Sequence, residues 1–209
     1  MQAHHISFNH RAPYKRYIFG SLSFLALTFT ADSSGLLAAE QPQPVAASQD
    51  VHALQQRGDY LVTVMGCNDC HTPLKPGPKG PELDKLRLLS GHPENVTLPP
   101  PPKLNETWNW VGSATNTAFA GPWGISYSSN LTPDKETGLG AWTEEIFIKA
   151  LKTGKHIGVG RPIMPPMPWP WYAKFTDEDL KAIFAYLRTI PPVHNRVPDY
   201  SPLAGISKW

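Results

Sequence analysis

A mostly α-helical domain with long proline-rich loops is the fold class this sequence predicts, on three observations. Three stretches carry apolar residues at helical spacing between recognisable ends, and no alternating segment is long enough to build a sheet. Most of the 23 prolines fall between those helical stretches. The first helix is Val51 to Met65, with Val51, Leu54, Leu61, Val62 and Met65 on its apolar face and Asp50 as its N-cap. Gly58 in its interior costs helix propensity; it marks either a close crossing with another helix or an incidental weak point. In the second helix, Thr143 to Thr153, Thr143 caps the start and Glu144 and Glu145 suit its positive end. Ile146, Phe147, Ala150 and Leu151 form its buried stripe, and Gly154 ends it. The third, Thr176 to Thr189, begins on a capping-box-like pair, Thr176 and Asp179. It turns Leu180, Ile183, Phe184 and Leu187 inward and stops at Pro191-Pro192.

Between His71 and Asn130 lie roughly sixty residues that include Pro73, Pro76, Pro78, Pro81, Pro93 and the run Pro99 to Pro102. A structureless loop of that length is unusual in a compact domain. Either Trp108, Trp110, Phe119 and Trp123 pack it down, or Pro76–Pro102 is disordered.

The chemistry is concentrated in Cys67-Asn68-Asp69-Cys70-His71, a C-x-x-C-H sequence that holds both cysteines of the chain. Two thiols at this spacing lie on one side of a helical turn, where each can add to a vinyl group of haem to form a thioether. The next residue, His71, is then carried beneath the porphyrin with an imidazole nitrogen available to iron. Three other uses of the cysteines fit less well. A structural zinc site uses four Cys or His ligands, and no second pair follows, with His52, His92, His156 and His194 scattered. A thioredoxin-like dithiol needs a βαβ context. A plain disulfide in an exported protein gives His71 no role.

Covalent haem attachment needs export, and the amino terminus is built for it. Arg11, Lys15 and Arg16 precede the apolar run Ile18 to Phe29, and Leu37-Ala38-Ala39 offers a cleavage site before Glu40. The alternative, an uncleaved anchor from Ile18 to Ala39, would bury Asp32. Residues 1–39 therefore read as a signal peptide, and Glu40 to Gln49 as a flexible leader. Removing residues 1–39 takes away three basic residues and one acidic residue, leaving 16 of each and no net charge. Nothing then favours a nucleic-acid partner. Residues 50–192 form one domain with an insertion at 72–130, and 193–209 form a C-terminal tail.

With His71 on one face of the iron, the second axial position needs its own ligand. A methionine there gives a centre of raised potential, because a neutral thioether favours ferrous iron. Met164 and Met167 lie in a proline-dense stretch, Arg161 to Trp171, whose backbone is restricted before folding. One ligand and one packing methionine is the expectation. Met65 sits on the attachment side, and His92 or His156 would make the alternative bis-histidine pair.

Several motifs together resemble exported bacterial class I c-type cytochromes, among them the cytochrome subunits of membrane dehydrogenases for alcohols and gluconate. They are Ser129-Asn-Leu-Thr-Pro-Asp-Lys-Glu-Thr-Gly-Leu-Gly-Ala-Trp142, Met167-Pro-Trp, and Tyr172-Ala-Lys-Phe-Thr-Asp-Glu-Asp-Leu-Lys-Ala-Ile-Phe-Ala-Tyr-Leu-Arg188. The resemblance covers Asp59 to about Pro192. It implies a class I cytochrome c-like helical domain, haem c on Cys67 and Cys70, and iron held by His71 and Met167 rather than Met164. It also implies that the helix before Cys67 crosses Thr176–Thr189, with Gly58 close to Tyr186 or Phe184. Asn130, Trp142 and Tyr127 become possible hydrogen-bond partners for haem propionates. Relatives often carry two or three C-x-x-C-H sites; this chain has one, which implies a single haem and no relay along several. The insertion after His71 departs from small class I domains.

The preferred function is a periplasmic carrier of single electrons between redox proteins, on the dehydrogenase or the terminal-oxidase side. An uncleaved amino terminus would give it membrane association. No G-x-S-x-G, H-E-x-x-H or dinucleotide fingerprint argues for substrate chemistry. Two rivals remain: a haem enzyme with a labile sixth ligand acting on a small oxidant or a sulfur or nitrogen compound, and a dedicated electron-transfer subunit of a membrane dehydrogenase.

Overall fold

Two helices that cross at a glycine organise the domain. The computed structural model describes residues 44–105 and 107–202; the predicted signal peptide, residues 1–39, lies outside them. Helix α1 spans Pro44–Val64. It begins earlier than expected, so the later part of the predicted flexible leader is helical and Asp50 lies inside the helix instead of capping it. Pro44 suits the first position, where its missing N–H is no loss, and Ala46 and Ala47 favour the helix. Gly66, at φ 67°, breaks the run, and the short helix α2, Cys67–His71, follows at once.

Helix α5, Asp177–Leu187, starts on Thr176, whose hydroxyl accepts from the Asp179 N–H at 3.1 Å. It crosses α1 at Gly58: a Cβ there would overlap the Ala182 carbonyl oxygen and lie 2.7 Å from the Tyr186 Cβ. Gly58 thus marks a close crossing, and Tyr186 is its neighbour. Arg57 of α1 pairs with Asp179 at 2.9 Å beside the crossing. Beneath it Leu61, Val62, Leu180, Ile183, Phe184 and Leu187 are buried together. Helix α3, Glu144–Thr153, carries the predicted Thr143 cap and ends on Gly154 at φ 65°. It joins this core through Phe147, whose ring centroid is 5.2 Å from that of Phe184. The short helix α4, Trp169–Tyr172, follows the methionine stretch.

The expectation of no sheet is corrected. Strands β1 (Leu74–Gly77) and β2 (Gly80–Leu83) form an antiparallel hairpin with Leu74 opposite Leu83. Strands β3 (Val111–Gly112), β4 (Ala118–Gly121) and β5 (Gly124–Tyr127) form a second antiparallel sheet in that order, with Ala118 opposite Tyr127. The strands have four residues or fewer. The β2 residues are all exposed and the β4 residues all buried, so no period-two pattern marks either. Mostly α is therefore too simple: helices supply most of the core, Leu89, Leu139 and Ile190 join it from outside them, and residues 72–130 supply two small sheets. The aromatic packing of the insertion is partial. Phe119 is buried and Trp110 meets its edge at 5.6 Å, but Trp110 and Trp108 remain exposed.

Two substitutions measure the crossing. Gly58→Ala should lower the unfolding free energy by about 1–3 kcal/mol, the usual cost of overpacking, and Leu180→Ala, at a fully buried site, by about 2–5 kcal/mol. Urea denaturation checks both. A Gly58→Ala protein as stable as the parent would mean that the helices do not meet there.

Candidate functional site

A cavity of about 380 Å³ opens beside α2, within the range of small-molecule and cofactor sites. Its walls include Val62, Phe119, Leu139, Phe147, Ile183 and Leu187, an apolar enclosure drawn from α1, β4, the loop before α3, α3 and α5. Into it come Cys67, Cys70 and His71 from one side of the sequence and Met164 and Met167 from the other. Met65 also lines it, so three of the four methionines of the chain border one space.

His71 is buried, and its orientation follows from one bond. Its Nδ1 lies 2.8 Å from the Ser129 carbonyl oxygen. A carbonyl only accepts, so Nδ1 carries the proton and Nε2 keeps its lone pair. Among the described residues no buried side-chain nitrogen or oxygen lacks a partner, so the unbonded Nε2 faces the open space of the cavity. Burial lowers the pKa of this imidazole, which keeps it neutral, the form that binds metal. The main chain of His71 is gripped as well: the Gly91 N–H donates to its carbonyl at 2.7 Å. Gly91 has φ +78° and packs on the 128–129 backbone, where a Cβ would overlap the Ser128 carbonyl oxygen. The next residue, His92, donates its N–H to that same Ser128 carbonyl at 2.9 Å.

Both cysteines are free thiols. Burial pushes the Cys67 thiol up to about 11, and the Cys70 thiol shifts in the same direction for the same reason, so both stay protonated at neutral pH. No group of three or more His, Cys, Asp or Glu converges among the described residues, which leaves the thiols without the further donors of a zinc site. The donor set fits haem c instead: two neutral thiols, a neutral imidazole with a free lone pair, and thioethers across an apolar space.

Met164 and Met167 are held by their own turn, with the Met167 N–H donating to the Met164 carbonyl at 3.3 Å. The Ser126 hydroxyl of β5 donates to the Pro165 carbonyl between them. Both methionines reach the cavity, and the geometry does not choose one. His156 lines the cavity edge, its ring 5.3 Å from that of Trp142. His92 does not line it: Nδ1 meets the Thr117 hydroxyl at 2.9 Å and Nε2 the Val96 carbonyl at 3.3 Å, so both ring nitrogens are used. Asn130 does line the cavity, but its side chain is spent on structure. Its Nδ2 donates to the Val193 carbonyl at 2.8 Å, and its Oδ1 accepts from the Thr132 N–H at 3.0 Å and the Thr132 hydroxyl at 2.7 Å. Trp142 and Tyr127 line the cavity.

Sequence reasoning missed Ser129 and Gly91 as the groups that hold His71. Ser129 acts through its carbonyl, which every residue has and no side chain advertises. Gly91 carries a weak signal, a glycine between two polar residues, with nothing to say what it touches.

A cytochrome c family model matches residues 55–191. The chain belongs to the cytochrome c family, and the class I domain its motifs resemble is present. Among curated proteins it is similar to the cytochrome c subunit of the quinone alcohol dehydrogenase of Gluconobacter oxydans (strain 621H), 31% identical over 75% of this chain and 26% of that one. It is also similar to the gluconate 2-dehydrogenase cytochrome c subunit of Pantoea cypripedii, 31% identical over 82% of this chain and 29% of that one. The fructose dehydrogenase cytochrome subunit of Gluconobacter japonicus is 31% identical over 84% of this chain and 29% of its own. The chain thus spans under a third of the length of these relatives. Among the described residues, no helix is long and apolar enough to cross a membrane.

Burial lowers the pKa of His92 too, so its folded pKa lies below its unfolded one. The unfolded chain therefore binds the extra proton first, and stability falls as pH drops below about 6.5. Denaturation midpoints measured from pH 7.5 to 5 should decline, and His92→Gln should flatten part of that slope.

Proposed function

We propose that the mature chain is a periplasmic monohaem c-type cytochrome that carries single electrons. Cys67 and Cys70 would hold haem c through thioethers formed by adding each thiol to a vinyl group, and His71 and Met167 would supply the imidazole nitrogen and thioether sulfur to its iron. The observation that carries this reading is the convergence on one apolar cavity of both cysteines, an imidazole with one nitrogen committed, and the methionine turn. When bound, haem c supplies a one-electron ferric/ferrous couple.

The chain's own residues do the rest. Ser129 fixes the tautomer and aim of His71 by accepting the Nδ1 proton. The apolar walls keep water from the cavity and so favour the less charged, reduced state. The prolines on either side of Met167 restrict the loop before folding and lower the cost of holding a weak ligand in place. Met167 is chosen over Met164 on its resemblance to the ligand methionine that precedes Pro-Trp or Pro-Tyr in this family. The redox partner is a dehydrogenase of the kind to which the relatives belong, and the exposed proline run Pro99–Pro102, on the insertion, is available to meet it.

Met167→Ala should abolish the near-infrared sulfur–iron band of the ferric protein. It should also lower the potential by something on the order of 0.1 V, a fraction of the ~0.8 V span that axial ligands control, and admit carbon monoxide to the reduced form. Met164→Ala should leave the band in place; loss of the band in Met164→Ala alone would reverse the assignment. A wild-type protein that binds carbon monoxide readily would favour the haem-enzyme rival.

A second expectation concerns the partner. Native purification from membranes should recover the chain with a larger flavin- or quinone-dependent dehydrogenase. A chain that migrates alone at native abundance, with no dehydrogenase able to reduce it, would count against the dedicated subunit.

A further inference from the structure

Residues beyond Pro192 lie past the stretch that the family model matches, 55–191, yet residues 196–200 form a wall of the cavity. Arg196, Val197, Pro198, Asp199 and Tyr200 all line that space. Each end is anchored to a segment that positions a proposed axial ligand.

At the first end is Asn195, fully buried with every polar group engaged. Its Nδ2 donates to the Ser90 carbonyl at 2.7 Å and to the His92 carbonyl at 2.9 Å, bracketing Gly91, whose N–H grips His71. Its Oδ1 accepts from the Glu94 N–H at 2.9 Å, and its own N–H donates to the Thr137 hydroxyl at 3.0 Å. The neighbouring Arg196 N–H donates to the Glu94 carboxylate at 2.8 Å. At the far end, Ser201 exchanges backbone hydrogen bonds with Ile125 of β5, at 2.8 and 2.9 Å, and the Tyr200 hydroxyl donates to the Trp123 carbonyl. Strand β5 in turn holds the methionine turn through Ser126 and the Pro165 carbonyl.

A segment serving only as a loose terminus would have no reason to bury an asparagine with all its groups satisfied. Nor would it need a proline-containing span laid along a cavity. We infer that Val193–Ser201 is a strap that closes the haem cavity and controls what small molecules reach the iron, with Asn195 as its positioning residue. This rests on the reading of the cavity as a haem site. The strap keeps water and exogenous ligands away and raises the potential by the same exclusion. It also bars a partner from this edge, so electrons enter and leave elsewhere.

The test uses full-length, covalently loaded protein and imidazole as the probe ligand for ferric iron. Ser201→Pro removes the N–H that pairs with Ile125. Val197→Ala thins the wall without touching an anchor, and Asn195→Ala frees the first end. Imidazole should bind about tenfold faster or more to Ser201→Pro and Asn195→Ala, the change in open population expected for losing one or more buried hydrogen bonds. The rate for Val197→Ala should also rise, by a smaller factor, and the potential should fall in all three. A tail that merely braces the fold would lower the urea midpoint and leave the imidazole rate and the potential where they were. Unchanged rates in both Ser201→Pro and Val197→Ala overturn the strap, even if Asn195→Ala fails to fold. Loss of pigment from the wild type into acidified organic solvent would overturn the haem reading and the strap together, and that control is run first.

Discussion

His71 is held at two points by segments far from it in the chain, and the site depends on that double hold. Its ring donates to the Ser129 carbonyl and its own carbonyl accepts from the Gly91 N–H. One bond sets the tautomer and the direction of the lone pair; the other stops the short helix α2 from turning about its axis. Neither partner belongs to the helical core. Both come from residues 72–130, so that segment belongs to the site as much as the helices do.

The insertion achieves this with little regular structure. Its two sheets are short, and much of its order comes from side-chain hydrogen bonds, some to one another and some to backbone carbonyls. The Ser113, Thr115 and Thr117 hydroxyls run in a chain to the His92 ring. Asn130 ties its own loop to Val193, and Asn195 ties the tail to the Gly91 loop. Such bonds contribute about 1 kcal/mol each when made and cost more when a partner is lost. They therefore specify one arrangement of the loops more than they add to stability. The apolar energy lies elsewhere, in the α1–α5 crossing and the ring contact of Phe147 with Phe184.

The electrostatics suit a site meant to hold a neutral donor set. Burial keeps His71 deprotonated at its free nitrogen and both thiols protonated. The charged residues that line the cavity, Glu136, Arg161, Arg196 and Asp199, are all solvent-exposed. A core without formal charge leaves the surrounding dipoles and the exclusion of water as the main levers on potential.

The spacing in Cys67–His71, the caps at Thr143 and Thr176, and the glycine at position 58 were legible from the sequence because each is a local pattern with a local cause. A thiol pair at i and i+3, a hydroxyl before a helical run, or a missing Cβ inside one needs no knowledge of the rest of the chain. Helix α1 starts before its apparent cap because Asp50, a good cap residue, stands inside a stretch that alanines and a leading proline carry further back. Ser129, Gly91 and Asn195 were decided only by the tertiary structure, since they act through backbone groups or through partners some twenty to a hundred positions away. The same holds for the short strands: β2 and β4 pair without alternation, and β5 alternates over only four residues. A hydrogen bond between distant segments leaves no periodic trace in the sequence, and only the folded chain shows which carbonyl meets which ring.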